Sequence, residues 1–193
     1  AAFENAGSEV SVQPSGKNAV IVENNGYVES EFDFDASTGT ITSYNGYATY
    51  LSIPETIGGA PVKAIGPEAF AQHTYLALLE LPEGLETIGD RAFYNAYKSS
   101  ILELPEGLEH IGAYAFYFAG IKGFLTLPEG LKTIGESAFE ACSNMGGNLY
   151  LPSTLESIGS RAFKGDYNIQ YIVLESLTAP TLGEDVFAGC DYL

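Results

Sequence analysis

Carboxylates are the main side chains in this sequence that could do chemistry, and they recur from one copy of a repeated segment to the next. The chain has 25 Asp and Glu residues against 8 Lys and Arg residues, a formal net charge of −17. Two rows recur in this way. The first is Glu55, Glu83, Glu106 and Glu129. The second is Glu86, Glu109, Lys132 and Glu156, in which a lysine stands at one of the four positions. Such rows could keep a surface solvated, attract a basic protein or bind Ca²⁺. Because Ca²⁺ prefers six to eight oxygen ligands and each copy supplies few, a solvated face is the favoured interpretation.

The other candidate catalytic and metal-binding residues are few and follow the same repeat. His73 occupies a position that holds Cys, Ala or Asp in other copies, and His110 one that holds Thr or Ser. Residues 33–39 superficially resemble a calcium loop, but Thr38 stands where an EF-hand requires Gly, so a turn between strands is predicted. No Gly-rich phosphate loop and no cleft with paired carboxylates is indicated. We therefore expect no enzyme, no metal site and no cofactor.

The two cysteines occupy one position of the repeat. Cys142 and Cys190 each lie three residues after a repeat phenylalanine, two copies apart. Coils that stack at ~4.8 Å would hold their Cα atoms ~10 Å apart. A disulfide requires less than ~7 Å. We expect two free, buried thiols without redox or zinc chemistry.

These side chains must be positioned by copies of a single segment. Leu102–Phe116 reads LELPEGLEHIGAYAF. Close copies span Leu79–Phe93, Leu125–Phe139 and Leu149–Phe163, and degenerate copies span Leu51–Phe70 and Ile172–Phe187. The Ile-Gly and Ala-Phe pairs recur every 23 or 24 residues, within the period of leucine-rich repeats.

Each copy predicts a short strand, a turn and a short helical turn. Leu102 and Leu104 alternate with Glu103, which predicts a strand with its leucines in the core, and Pro105 should end it. The Ala-Phe pair is expected on a helical turn. Stacked copies would then form a phenylalanine spine: Phe70, Phe93, Phe116, Phe139, Phe163 and Phe187. The prediction is an α/β repeat, a right-handed leucine-rich-repeat solenoid of about six coils.

The predicted domain organisation has three parts. Residues 1–18 are small and polar and read as a flexible linker. Residues 19–50, with the hairpin signal Asn25-Gly26, are expected to form a β-rich N-terminal cap, because the first coil would otherwise expose an apolar edge. Residues 51–193 form the solenoid.

Outward-pointing strand residues are the candidate binding surface. Two rows of side chains are expected to point outward. The first row is Ser52, Glu80, Glu103, Thr126, Tyr150 and Val173. The second row, two residues earlier in each copy, is Tyr50, Leu78, Ile101, Phe124, Asn148 and Tyr171. The second is largely apolar, and an exposed apolar patch is a candidate interface. The candidate residues are Tyr50, Leu78, Glu80, Ile101, Glu103, Phe124, Thr126, Tyr150 and Tyr171. The alternatives are that a neighbouring loop covers this row, or that the true register differs by one residue.

The repeated motif, LPEGLETIGDRAF in one copy, resembles the BspA-like leucine-rich repeats of bacterial cell-surface proteins over roughly residues 40–193. The resemblance implies an exported, surface-attached protein with a role in adhesion. We therefore expect a non-enzymatic extracellular module that binds a protein or a glycan through its strand face. The alternative is a structural spacer or stalk that holds another domain away from the cell surface.

The acidic balance argues against nucleic acid and anionic membrane surfaces as partners, because both attract Lys and Arg clusters. No apolar run approaches the ~18 residues needed to cross a bilayer, so no membrane insertion is expected within this chain. The first residues do not read as a signal peptide, and an export leader would lie outside them. If the array ended at Leu193, its last coil would leave an unpaired edge, and end-to-end self-association is expected.

Overall fold

A computed structural model describes residues 29–96 and 101–193. The predicted linker and the Asn25-Gly26 hairpin lie outside these residues. A 3₁₀ helix spans Glu29–Glu31. The strands are Phe32–Asp35 (β1), Thr40–Tyr44 (β2), Tyr50–Ser52 (β3), Thr56–Ile57 (β4), Ala60–Pro61 (β5), Ala64–Ile65 (β6), Leu78–Glu80 (β7), Thr87–Ile88 (β8), His110–Ile111 (β9), Lys122–Gly123 (β10), Thr133–Ile134 (β11), Asn144–Leu151 (β12), Ser157–Ile158 (β13), Asn168–Leu174 (β14) and Thr181–Leu182 (β15).

The longest sheet runs along the isoleucine of each Ile-Gly pair. Its order is β1-β2-β6-β8-β9-β11-β13-β15, and every pairing from β2 onward is parallel. The six strands from β6 to β15 contribute one strand per coil, which confirms a solenoid of about six coils. The following glycine permits this close stacking: a Cβ on Gly112 would lie 2.6 Å from the backbone nitrogen of Asp90.

The leucine segments form shorter and less continuous sheets. β3 pairs with β7, and β10 and β14 flank β12, all in parallel. The strand predicted at Leu102–Leu104 is not formed as a ladder, although Leu102 is buried and Glu103 is exposed, as the alternation requires. The leucine column is therefore buried by stacking even where strand pairing is interrupted.

The short helical turn predicted at each Ala-Phe pair is not confirmed. These residues form successive turns in which hydrogen bonds alternate between coils: Phe93 N–H donates to Ala115 O of the next coil (2.7 Å), and Tyr94 N–H donates to Arg91 O of its own coil (3.0 Å). The residue before each Ala-Phe or Val-Phe pair has a positive φ: Glu68, Arg91, Tyr114, Ser137, Arg161 and Asp185. A residue in this left-handed region cannot continue a right-handed helix.

The predicted phenylalanine spine is confirmed. Successive rings from Phe70 to Phe187 stack with centroids 5.0–5.6 Å apart and interplanar angles of 5–18°. The first five rings are fully buried, whereas Phe187 is partly buried. At the other end, Tyr44 of β2 stacks on Phe70 at 5.2 Å, and Phe32 of β1 packs against both rings. The β1–β2 hairpin thus covers the first ring of the spine.

The segment with a superficial likeness to a calcium loop is the turn of this hairpin. The Asp35 carboxylate accepts hydrogen bonds from the backbone N–H (2.9 Å) and the hydroxyl (2.6 Å) of Ser37, and from the Thr38 hydroxyl (3.0 Å). These bonds, those of Ser37 foremost, lower the pKa of Asp35. The Asp35 carboxylate therefore stabilises the turn between β1 and β2.

Both cysteines are free and buried, as predicted. The Cys142 thiol donates to Phe116 O (3.2 Å) and the Cys190 thiol to Phe163 O (3.3 Å). Burial, with a contribution from the nearby Asp166 carboxyl, raises the pKa of Cys142 well above its ordinary value and that of Cys190 to about 11. Two raised pKa values and two buried sulfurs predict inert thiols.

We expect Ellman's reagent to label neither thiol readily in the native protein at pH 8, because thiolate is scarce and access is closed. In concentrated guanidinium chloride, two thiols per chain should react at once. Labelling of the native protein as rapid as that of the unfolded chain would contradict this burial.

Candidate functional site

The strand face is the row Tyr50, Leu78, Ile101, Phe124 and Tyr171, together with the adjoining Glu80, Glu103, Thr126 and Tyr150. The backbone register agrees with the predicted rows where strands pair: Tyr50 is opposite Leu78, and Tyr150 is opposite Val173. Ile101, Glu103, Phe124 and Thr126 lie outside the assigned strands. The structure thus brings the candidates into neighbouring coils, while their role in binding stays a prediction.

Large apolar side chains on the strand face are open to solvent. Tyr50 is 57% exposed, Ile101 55%, Phe124 73% and Tyr171 65%. In the adjoining row, Tyr150 is 46% exposed, and Glu80, Glu103 and Thr126 are exposed as well. Asn148, which continues the row between Phe124 and Tyr171, is half-buried. The face therefore combines aromatic rings with a few polar groups, a composition typical of interfaces.

Phe124 owes its position to a glycine in the next coil. Gly147 has a φ of +86°, and a Cβ there would lie 2.2 Å from Cε1 of Phe124. The ring therefore packs against the bare backbone of Gly147 while most of its surface faces water. Any side chain at position 147 would displace the ring.

The first acidic row connects the coils. The Glu55 carboxylate accepts a hydrogen bond from the backbone N–H of Glu83 (2.8 Å), and that of Glu129 accepts from the backbone N–H (3.3 Å) and hydroxyl (3.0 Å) of Ser153. A hydrogen bond from the Glu175 carboxyl, and then those from Ser153, lower the pKa of Glu129, while the pKa of Glu175 rises. Glu55 and Glu129 of this row therefore have a structural role in addition to keeping the face solvated.

The second acidic row is partly neutralised by lysines. Lys63 Nζ lies 2.8 Å from Glu86 Oε1, and Lys132 Nζ lies 2.6 Å from Glu109 Oε2. The hydrogen bond from Lys132, followed by its charge, lowers the pKa of Glu109. Because these side chains are about half exposed, each pair contributes little to stability.

The histidines take part in packing and hydrogen bonding. His110 Nδ1 lies 2.9 Å from Thr133 Oγ1 of the next coil. The His73 ring packs against Tyr44, Phe70 and Tyr75. In the ranges 29–96 and 101–193, no group of three His, Cys, Asp or Glu side chains is arranged to hold a metal ion.

A groove that the sequence analysis missed lies on the turns that follow the Ile-Gly pairs. This turn-face groove has a volume of about 590 Å³ and is lined by Glu68, Ala71, Gln72, Arg91, Tyr94, Tyr114, Tyr117, Glu140 and Arg161. The signal that could have revealed it is the placement of the chain's two arginines, Arg91 and Arg161, at one repeat position, with Tyr94 and Tyr117 at another.

The groove is built from ordered aromatic and charged contacts. Tyr94 and Tyr117 stack with centroids 5.2 Å apart at 5°. The Arg91 guanidinium lies 5.7 Å from the ring centroid of Tyr114, whose hydroxyl donates to Glu136 (3.1 Å). Arg161 also pairs with Glu136, and these bonds, that of Arg161 foremost, lower the pKa of Glu136.

Comparison with known proteins gives a family and a fold. Residues 63–193 match the model of the BspA type leucine rich repeat region in six copies. A crystal structure of a leucine-rich repeat protein from T. pallidum is similar, at 25% identity and a TM-score of 0.66, over 85% of this chain and 88% of that one. One from Eubacterium ventriosum has 17% identity and a TM-score of 0.58, over 82% of this chain and 50% of that one.

A third similar structure is that of a leucine rich cell surface protein from Faecalibacterium prausnitzii, at 22% identity and a TM-score of 0.49, over 80% of this chain and 55% of that one. No curated protein matches the chain. The comparisons indicate no enzymatic family. In the part of the chain that the structure describes, no helix has the length and apolar character of a membrane span.

Proposed function

Because this chain belongs to the BspA-type leucine-rich repeat family, a group of protein-interaction or structural modules, we propose that it is a non-enzymatic adhesion module at the bacterial cell surface. Its strand face would bind an extracellular protein or a glycan. The extracellular location is supported by the family to which the chain belongs.

The exposed apolar row carries this proposal. Isoleucines, leucines and phenylalanines at the repeat positions are buried in nearly every coil, so the repeat consistently turns its apolar side chains inward. Tyr50, Ile101, Phe124 and Tyr171 nevertheless lie in water on one face. Exposed apolar residues that are grouped rather than scattered mark interaction sites.

The chemistry of the face restricts the partner. Aromatic rings such as Phe124 and Tyr171 supply large contact areas at low entropic cost, and they dominate the energetics of many interfaces. The acidic groups Glu80 and Glu103 in the adjoining row, in a chain of net charge −17, favour a partner with basic or neutral groups. Binding to a basic partner should therefore weaken as salt increases.

A structural spacer or stalk is the second candidate function. It is supported by the regular stacking and by the hydrogen bonds that join each coil to the next, which suit a rigid support. The full-length gene discriminates between the two: attached catalytic or binding domains favour the spacer, whereas a leader, these repeats and an anchor alone favour the adhesin.

We expect the double variant Phe124→Ala, Tyr150→Ala to bind its partner at least tenfold more weakly, because truncating a buried aromatic anchor typically costs about 2 kcal/mol or more. The partner would first be identified by screening the protein against extracellular-matrix proteins and glycans at low and high salt. Affinities would then be compared by surface plasmon resonance.

The matched control is Tyr192→Ala, which removes an aromatic side chain that is 69% exposed and lies outside the strand face. It should leave the affinity unchanged, and all variants should unfold at the same temperature as the parent. Equal affinities of the parent and the double variant would exclude the strand face as the binding surface.

A further inference from the structure

Of the two stacked tyrosines in the turn-face groove, Tyr94 has one face on which no ring of the described residues stacks. The repeat position that directly follows each spine phenylalanine holds Ala71, Tyr94 and Tyr117 in consecutive coils. Because the Tyr94 and Tyr117 rings are nearly parallel, the second face of Tyr94 is turned towards the coil of Ala71. Because the side chain of Ala71 is short, the space over this face of Tyr94 stays open as part of the groove.

We propose that the turn-face groove binds a neutral carbohydrate, one sugar ring of which stacks on Tyr94 in the space above Ala71. A pyranose presents a flat face of C–H groups that packs on an aromatic ring, and its hydroxyls lie around the edge of that face. This site is separate from the strand face, and the proposal does not depend on the function proposed for that face.

The polar groups around this space suit hydroxyls. Glu68 and Gln72 flank Ala71 in its own coil, and Arg91 comes from the next. Arg91 pairs with Glu68 (3.3 Å), and the Gln72 side-chain oxygen accepts from the side-chain amide of Asn95 (2.9 Å). These contacts hold the side chains in place, and each sugar hydroxyl can both donate to a carboxylate or amide oxygen and accept from a guanidinium or amide N–H.

The charge of the groove indicates a neutral ligand. Both arginines of the chain line it, and so do Glu68 and Glu140, so these four side chains sum to zero in a chain of net charge −17. A site for an anion or a cation would carry an excess of the opposite charge. The volume of about 590 Å³ lies within the range of ~300–1,000 Å³ found for small-molecule sites.

The test begins with an array of neutral, sialylated and sulfated oligosaccharides probed with the whole chain. We expect neutral glycans to bind, and the strongest of them to give a saturable isotherm in titration calorimetry. Tyr94→Ala should weaken that binding at least tenfold, whereas Tyr94→Phe, which keeps the ring, should change it less than threefold.

Ala71→Tyr provides the sharpest variant, because the new ring would extend the tyrosine stack and occupy the space of the sugar. It should abolish binding without lowering the unfolding temperature. Phe124→Ala on the strand face should bind the glycan as the parent does.

Three outcomes would overturn the proposal. If no neutral glycan binds, the groove is not a carbohydrate site. If only sialylated or sulfated glycans bind, the assignment to a neutral ligand is wrong. If Tyr94→Ala and folded Ala71→Tyr bind like the parent, the sugar lies elsewhere.

Discussion

Replacing Asp166 with Ala is expected to raise the free energy of unfolding by about 2–4 kcal/mol at pH 7, because the native state must keep this carboxyl group protonated. Asp166 is fully buried, and neither of its carboxyl oxygens has a hydrogen-bond partner among the described residues. The nearby backbone N–H of Cys142 donates instead to Phe139 O (3.2 Å). Burial is the main cause that raises the pKa of Asp166 to about 9.

The sign of the pH dependence follows from this shift. In the unfolded chain an Asp carboxyl titrates near ~3.9. Between that value and the native pKa of about 9, the native state binds the proton and the unfolded state does not. Stability therefore falls as the pH rises through this window and changes little above it. Asp166→Ala should remove this slope.

The repeat itself supplies the reason why alanine fits. The equivalent position holds Ala96 and Ala119 in two other coils, and both are buried. Urea unfolding of the parent and of Asp166→Ala at several values of pH would measure the effect. The control is Asp191→Ala, which removes an exposed carboxylate next to Cys190, the residue at the repeat position of Asp166 in the next coil. It should shift stability by less than about 0.5 kcal/mol. An unchanged slope in Asp166→Ala would show that Asp166 is solvated or hydrogen-bonded in the native protein.

Phe116→Ala should lower the free energy of unfolding by about 3–5 kcal/mol. Phe116 is fully buried in the middle of the spine, and its ring stacks on Phe93 and on Phe139, both at 5.2 Å. Truncation would leave a cavity between two coils that are joined by backbone hydrogen bonds and cannot readily collapse. Denaturant unfolding followed by circular dichroism would measure the loss.

Phe187→Ala is the matched comparison, because Phe187 occupies the same repeat position but is only partly buried. Its ring stacks on Phe163 at 5.6 Å. We expect a clearly smaller cost than for Phe116→Ala, since less apolar surface returns to water. Equal costs for the two variants would show that burial in the spine does not determine stability.

The solenoid and its core could be predicted because they depend on the repeat alone. Residues 23 or 24 positions apart occupy the same place in adjacent coils, so identical side chains such as Phe93, Phe116 and Phe139 must meet. The burial of both cysteines follows from the same rule, and the outward direction of Phe124 follows from the alternation of side chains along the leucine segment.

The turns could not be predicted in the same way. The residues with positive φ before the Ala-Phe and Val-Phe pairs include Glu68, Tyr114 and Ser137, and none of the six is Gly or Asn, the residue types that signal this conformation. Hydrogen bonds from these turns to the next coil hold the backbone there, as in Tyr114 N–H to Glu136 O (2.7 Å). Helix propensity within one copy contains no information about these bonds between coils.

The sequence by itself therefore determined which side chains stack along the solenoid, because a fixed period translates directly into contacts between equivalent positions. Only the tertiary structure decided which positions meet around each coil, because that depends on the path of the turns. This path brings Tyr114 beside Tyr117 and places Arg91 in one groove with Tyr94, and it buries Asp166 without a hydrogen-bond partner in the described part of the chain. The features proposed for recognition lie at the positions where the copies differ.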